Sequence, residues 1–185
     1  MATTTAPTPT PFIMRLIGAM ALDPITYEEV EADKSATGQA ALVVLLSSLA
    51  AGIGARGTSG GSLQAALFVS ALSLVAWAGW ALLTWEIGHR LMPTPETRGD
   101  VGELLRTLGF SATPGILRVF GIVPGAATAA FAITSVWMLV AMVVAVRQAL
   151  DYTSTVRAVV VCLIGWTLAV AMAVVLGLVF GSPLS

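Results

Sequence analysis

Few residues of this 185-residue chain could take part in chemistry, and they are unevenly placed. Its one histidine, His89, and its one cysteine, Cys162, fall in different apolar stretches, so no metal-ligand spacing or nucleophile–base pair can be assembled from them. Cys162 has no partner for an internal disulfide, which leaves the redox compartment open. No glycine-rich loop opens a helix to cradle phosphate, and no two carboxylates share an apolar run. An enzyme is not expected, nor is a metal or cofactor. The same scarcity argues against proton-coupled transport, which normally needs acids or histidines within the membrane. Two concentrations of charge remain. "DPITYEEVEAD", residues 23 to 33, holds five of the ten acidic side chains, and Arg118 stands alone in an apolar stretch.

The elements that must position these groups follow from composition. The chain is 57% hydrophobic and 10% charged with a mean hydropathy of +0.90, whereas a soluble domain is about half apolar and about a quarter charged. The expectation is an all-α integral membrane bundle forming one domain. A net charge of -1 gives no global field to attract nucleic acid. Residues 1–11 form a Thr/Pro tail expected to be disordered. That tail has no Lys or Arg, and Arg15 interrupts the apolar stretch after it, so it does not read as a cleaved signal peptide. Phe12 to Leu22 would cover about 16 Å as a helix, half the hydrocarbon thickness, which predicts a helix lying in the interface. Residues 12–34 thus make an interfacial and acidic segment, and residues 35–185 the transmembrane domain.

Ser35–Ala55, Ser62–Trp85, Val119–Val146 and Ala158–Ser185 are uncharged and long enough to cross. Leu104–Gly121 is ambiguous, because it contains Arg118 and a Pro114–Gly115 break; it fits a kinked span or a re-entrant loop. Short cytoplasmic loops accumulate Lys and Arg. Five spans with a cytoplasmic N-terminus place seven basic residues inside and only Arg56 and Arg118 outside, against six and three for four spans. Five spans are therefore predicted, with every Asp and Glu on the cytoplasmic side and the C-terminus outward.

On that topology the acidic stretch precedes the first span. Asp23 followed by Pro24 suits a helix start, with Thr26 and Glu29 as an alternative capping box. Two readings stay open: a solvated helix pairing with the bundle's own loop arginines, or a face of Glu28, Glu29, Glu31 and Asp33 that docks a basic partner. In the last span Gly165, Ala169, Ala173, Gly177 and Gly181 recur every four residues, a small-residue ladder suited to close helix packing, internal or between copies. Glu86 and Arg90, at i and i+4, can pair at the end of span two beside His89. Arg118 either snorkels to outer headgroups or, with Pro114, lines a polar pathway.

A short cytoplasmic region before five closely spaced spans, "GFSATPGIL" (Gly109 to Leu117) in the third, Trp137 in the fourth, Arg147 at its end, and Thr155, Arg157 and Ala158 opening the fifth together resemble the Yip domain, the fold of the Ypt/Rab-interacting membrane proteins, in its prokaryotic form. The resemblance spans about residues 12 to 180. It implies a polytopic protein with cytoplasmic N-terminus and outward C-terminus, here in a bacterial inner (plasma) membrane. The Asp-Leu-Tyr-Gly-Pro type of motif that eukaryotic members carry before their spans is absent, and "DPITYEEVEAD" stands there instead. Two functions remain: a non-catalytic membrane adaptor or accessory subunit binding other membrane or peripheral proteins, alone or as an oligomer, and a transporter or channel passing a small solute by way of the kinked third span and Arg118.

Overall fold

The computed structural model describes the backbone of residues 10–59 and 63–180, and the side chains of these except 56–59, 63, 65–66, 173 and 176–180. Among the described residues the structure is helical with no strand. Four helices are long and apolar enough to cross a membrane, over Ala36–Ala55, Leu67–Leu91, Ala127–Ala149 and Thr155–Met172. This is the length and composition of an integral membrane protein.

Two short helices precede them, α1 (Phe12–Met20) and α2 (Pro24–Ala32), folded into a hairpin. Asp23 caps α2 by accepting from Ile25 N at 3.2 Å, with Pro24 at the first helical position, and Thr26 Oγ1 donates to Asp23 Oδ2 at 2.9 Å. A proline there loses only a donor that has no helical partner anyway. Gly18 lets the two helices close, because a Cβ there would lie 2.0 Å from Thr26 Oγ1. α1 turns Ile13, Met14 and Ile17 outward and α2 adds Ile25, all more than half exposed. Its inner face carries Arg15 and Ala19, and Trp137 Nε1 donates to the Met20 carbonyl at its end, 2.9 Å away.

The long helices are α3 (Ala36–Ser59) and α4 (Leu63–Glu86), the latter ending in a π-helical turn at Ile87–Leu91. α5 (Val101–Ser111) starts at a capping box in which Asp100 Oδ1 accepts from Glu103 N and Glu103 Oε2 accepts from Asp100 N, both at 2.8 Å. The α-helix stops at Ser111, and Thr113–Ile122 continues as a 3-10 segment before α6 (Ala127–Ala149) and α7 (Thr155–Phe180). The break thus comes just ahead of Pro114, whose ring disfavours α geometry in the residue before it. α6 begins at Ala127 rather than near Val119, because the 3-10 segment runs to Ile122 and a turn with Gly125 at φ 81° follows it.

α5 and the 3-10 segment run alongside α3 in the same direction. Gly109 would meet Ala40, Gly115 Ser47, and Gly54 the Arg118 carbonyl if a Cβ were added to each glycine. At the opposite end of the long helices the chain is tied together by polar bonds. Tyr152 Oη donates to the carbonyls of Gly88 and Met92, Arg157 Nη1 to those of Met92 and Pro93, and Trp85 Nε1 to that of Gly99. The end of α4, the start of α5, the end of α6 and the start of α7 therefore share one face. α2 lies there too, since Glu28 accepts from Gln148 Nε2 at 2.8 Å.

Candidate functional site

The acidic stretch becomes the centre of a headpiece on that face. Arg15 is only 2% exposed. Its Nε and Nη2 donate to Glu29 Oε1 at 3.1 and 2.8 Å, Nη2 to Asp33 Oδ2 at 2.7 Å, and Nη1 to Gln39 Oε1 at 3.0 Å. Glu29 and Asp33 lie four residues apart and so share one face of α2. Burial by itself lowers the Arg15 pKa, but the hydrogen bonds from Asp33 and Glu29 outweigh it and the group is held above its ordinary value. Burial pushes Glu29 up, and its bonds with Thr10 and Arg15 bring it below the usual carboxylate range. Asp33 is lowered first by the Ser35 hydroxyl, 2.6 Å away, and then by Arg15.

A second arginine fixes the far end of α2. Arg106 on α5 is 4% exposed and donates through Nε to the Val30 and Glu31 carbonyls at 3.1 and 2.8 Å, with Nη2 also on Glu31 O. Those carbonyls belong to the last turn of a helix, where they lack helical partners and where a cation complements the dipole. The acids of the stretch are thus divided: Glu29 and Asp33 hold Arg15, Glu28 holds Gln148, and the Glu31 side chain turns to a cleft.

That cleft, about 460 Å³, is lined by Glu28, Glu31, Glu103, Arg147 and Asp151 among others. Burial, then the charges of Glu103 and Asp151, push the Glu31 carboxyl up to about 7 against the pull of Arg106, with Glu28 adding to the rise. Because the folded value lies above the ordinary 4.5, the unfolded chain ionises first as pH rises, and stability falls between those two values. Glu31→Gln is expected to melt like the parent at pH 5 and above it at pH 8 in detergent. Equal melting at both would mean that Glu31 is freely solvated.

Arg118 forms the other polar centre. Its Nε and Nη2 donate to Thr134 Oγ1 and Ser135 Oγ at 3.2 and 2.9 Å, and its guanidinium stands 5.4 Å from the centre of the Phe131 ring. Thr134 lies seven residues into α6, about 10 Å from the helix start. The ion pairs among the described residues are those of Arg15 and the exposed Glu86–Arg90 pair, so Arg118 has no carboxylate partner among them. The guanidinium borders a cleft of about 600 Å³ walled by Trp77, Trp80, Met138, Met142 and Trp166. Pro114 is buried and contributes no lining side chain there; its part is local, at the start of the 3-10 segment.

Compared with protein-family models, curated proteins and solved structures, the chain finds no significant match.

Of the ladder on α7, Gly165 is buried and packs closely, since a Cβ there would lie 3.2 Å from the Trp80 ring, while Ala169 is exposed. The side chains of Ala173 and Gly177, and Gly181 itself, lie outside the described residues. Glu86 and Arg90 pair at 2.6 Å beside His89, which stacks on Trp85. At that exposure such a pair contributes about 0.3–0.5 kcal/mol. Sequence reasoning did not assign Arg15 as the hub or Arg106 as the cap. A cation inside an apolar helix followed by acids at i and i+4 was the available signal for the first. The second links residues 75 apart and leaves no local trace.

Proposed function

We propose that the chain is a non-catalytic membrane adaptor or accessory subunit of Yip-domain type, with five crossings, a cytoplasmic N-terminus and an outward C-terminus. Support for the fifth crossing comes from register: α5 starts and α6 ends on one face, while Gly121 and Gly54 lie together at the other end of α3. α5 and the 3-10 segment together have a length of about 36 Å, against about 30 Å of hydrocarbon. The outward face of Ile13, Met14, Ile17 and Ile25 suits a hairpin sunk into the interface.

The observation that carries the adaptor reading is the construction of the headpiece. Two buried arginines fix α2 by opposite means, one through its acids and one through its terminal carbonyls, and Glu28, Glu31, Glu103 and Asp151 are left around an open cleft in which Arg147 is the cation. A rigid acidic surface of this kind selects a basic partner and speeds its encounter. Glu29 and Asp33, spent on Arg15, define the surface from behind.

The test avoids those two acids, because reversing Glu29 would set a lysine against the buried Arg15. In the triple variant Glu28→Lys, Glu31→Gln and Asp151→Asn, membrane insertion is expected to persist and melting at pH 5 to stay near the parent's, while a partner that co-purifies with the parent in mild detergent is lost. Asp151 adopts a left-handed backbone with φ 52°, which asparagine tolerates. Retention of every partner by the triple variant would remove this face from the proposal.

A further inference from the structure

We propose that the cleft beside Arg118 binds an anionic membrane lipid, its phosphate on the guanidinium and one acyl chain along the tryptophan and methionine wall. This goes beyond the adaptor reading and uses no residue of the headpiece.

The head end is built for an anion that the described residues do not supply. Arg118 has five N–H donors, and its described bonds use two of them, both on neutral hydroxyls. An arginine at membrane depth with neutral partners only is a costly arrangement that a bound anion relieves. Ser135 lines the same cleft and brings a hydroxyl to the same point. The tail end is built for hydrocarbon. Ser135, Met138 and Met142 follow one another on one face of α6 at helical spacing. They carry the cleft about 10 Å along the helix from the guanidinium. Opposite them stand Trp77 and Trp80. Thioethers adapt to a flexible chain, and indole rings offer broad apolar faces.

Shape favours a lipid over a dissolved anion. A volume of about 600 Å³ lies within the range of ligand sites, roughly 300–1,000 Å³. Its wall is mostly apolar and its side is open, where the lining residues Leu139 and Trp166 are themselves exposed. A small hydrated anion would gain nothing from that wall, whereas a lipid slides in from the bilayer with its chain already in hydrocarbon.

The decisive experiment is native mass spectrometry of the purified full chain in neutral detergent, offered phosphatidylglycerol and phosphatidylcholine of matched chains. The parent should carry phosphatidylglycerol with about tenfold preference, because phosphatidylcholine offers the same phosphate with its own choline cation beside it and only phosphatidylglycerol brings net negative charge to Arg118. Arg118→Gln should bring the preference to within about twofold of unity on the same scale. Ala76→Phe, which projects a ring into the cleft wall and keeps Arg118, should lower occupancy by both lipids while melting is unchanged; if Arg118→Gln fails to fold, this variant decides. Excess inorganic phosphate should not displace the lipid. Equal binding of the two lipids by the parent, an unaltered preference in Arg118→Gln, full occupancy in Ala76→Phe, or displacement by phosphate would each overturn the proposal, the last in favour of a small-anion site.

Discussion

Arg15→Met is expected to destabilise the headpiece more than any other single substitution there. Methionine fills much of the same volume on the inner face of α1 but leaves Glu29 and Asp33 facing one another without their cation. Removing one partner of a buried ion pair typically costs about 3–5 kcal/mol. Glu29 and Asp33 are 32% and 27% exposed, so water screens part of the loss and the lower end applies, about 3 kcal/mol. The measurement is thermal melting in detergent, alongside protease sensitivity of residues 10–33. Adding Glu29→Gln and Asp33→Asn to the variant should recover most of the loss, because neutral amides can bond one another and need no counter-ion. No recovery would mean that Arg15 acts mainly through packing and Gln39.

The same cluster gives an acid limb. Both Glu29 and Asp33 are held below their ordinary values of 4.5 and 3.8. Carboxylates of this kind stabilise fully above the ordinary value and lose their contribution as pH falls through the folded one. The parent should therefore lose stability below about pH 4.5, the ordinary value for Glu29. In Arg15→Met that limb should become shallower without vanishing, because the Ser35 bonds to Asp33 and the Thr10 bonds to Glu29 remain. Glu31 acts in the opposite sense above pH 4.5, so headpiece stability should be greatest near that crossover.

Composition and length made the long helices legible, since each is a run of apolar residues that a helix alone can carry through lipid. The short helix at Phe12–Met20 was legible as a helix too short to cross, from the length of its apolar run. The stretch around Pro114 was not, and the reason is physical. A 3-10 segment of ten residues is longer than the few that its poorer geometry usually supports. It persists here because Gly115 and Gly121 let it lie on α3, a tertiary effect with no signature in local sequence. The acids of residues 23–33 were visible as a cluster, but their division between Arg15, Gln148 and the cleft depends on which face of α2 each occupies once Arg106 has fixed its end. Arg118 was visible as an isolated cation. That its side chain meets hydroxyls on α6 needed the partner helix.

Gly54→Ala is the substitution expected to be most damaging within the bundle. The added Cβ would lie 2.0 Å from the Arg118 carbonyl oxygen and 3.2 Å from the Phe131 ring. A side chain could turn aside, but a backbone carbonyl in a segment packed along α3 cannot, so helix and segment must separate. Overpacking typically costs about 1–3 kcal/mol, and a clash with backbone belongs at the upper end. Gly38 and Gly79 provide controls in the same kind of helix, since a Cβ at either meets nothing within 4 Å. Alanine there should be neutral or should raise stability by up to about 1 kcal/mol through helix propensity. Melting of the three variants side by side in one detergent therefore separates close contact from propensity. If Gly54→Ala melts with Gly38→Ala and Gly79→Ala, the 3-10 segment does not lie on α3. The expected separation also has a chemical consequence. Moving the backbone at Arg118 draws its guanidinium away from Ser135, 2.9 Å distant in the parent, so Gly54→Ala should weaken the preference for anionic lipid even where the protein remains folded.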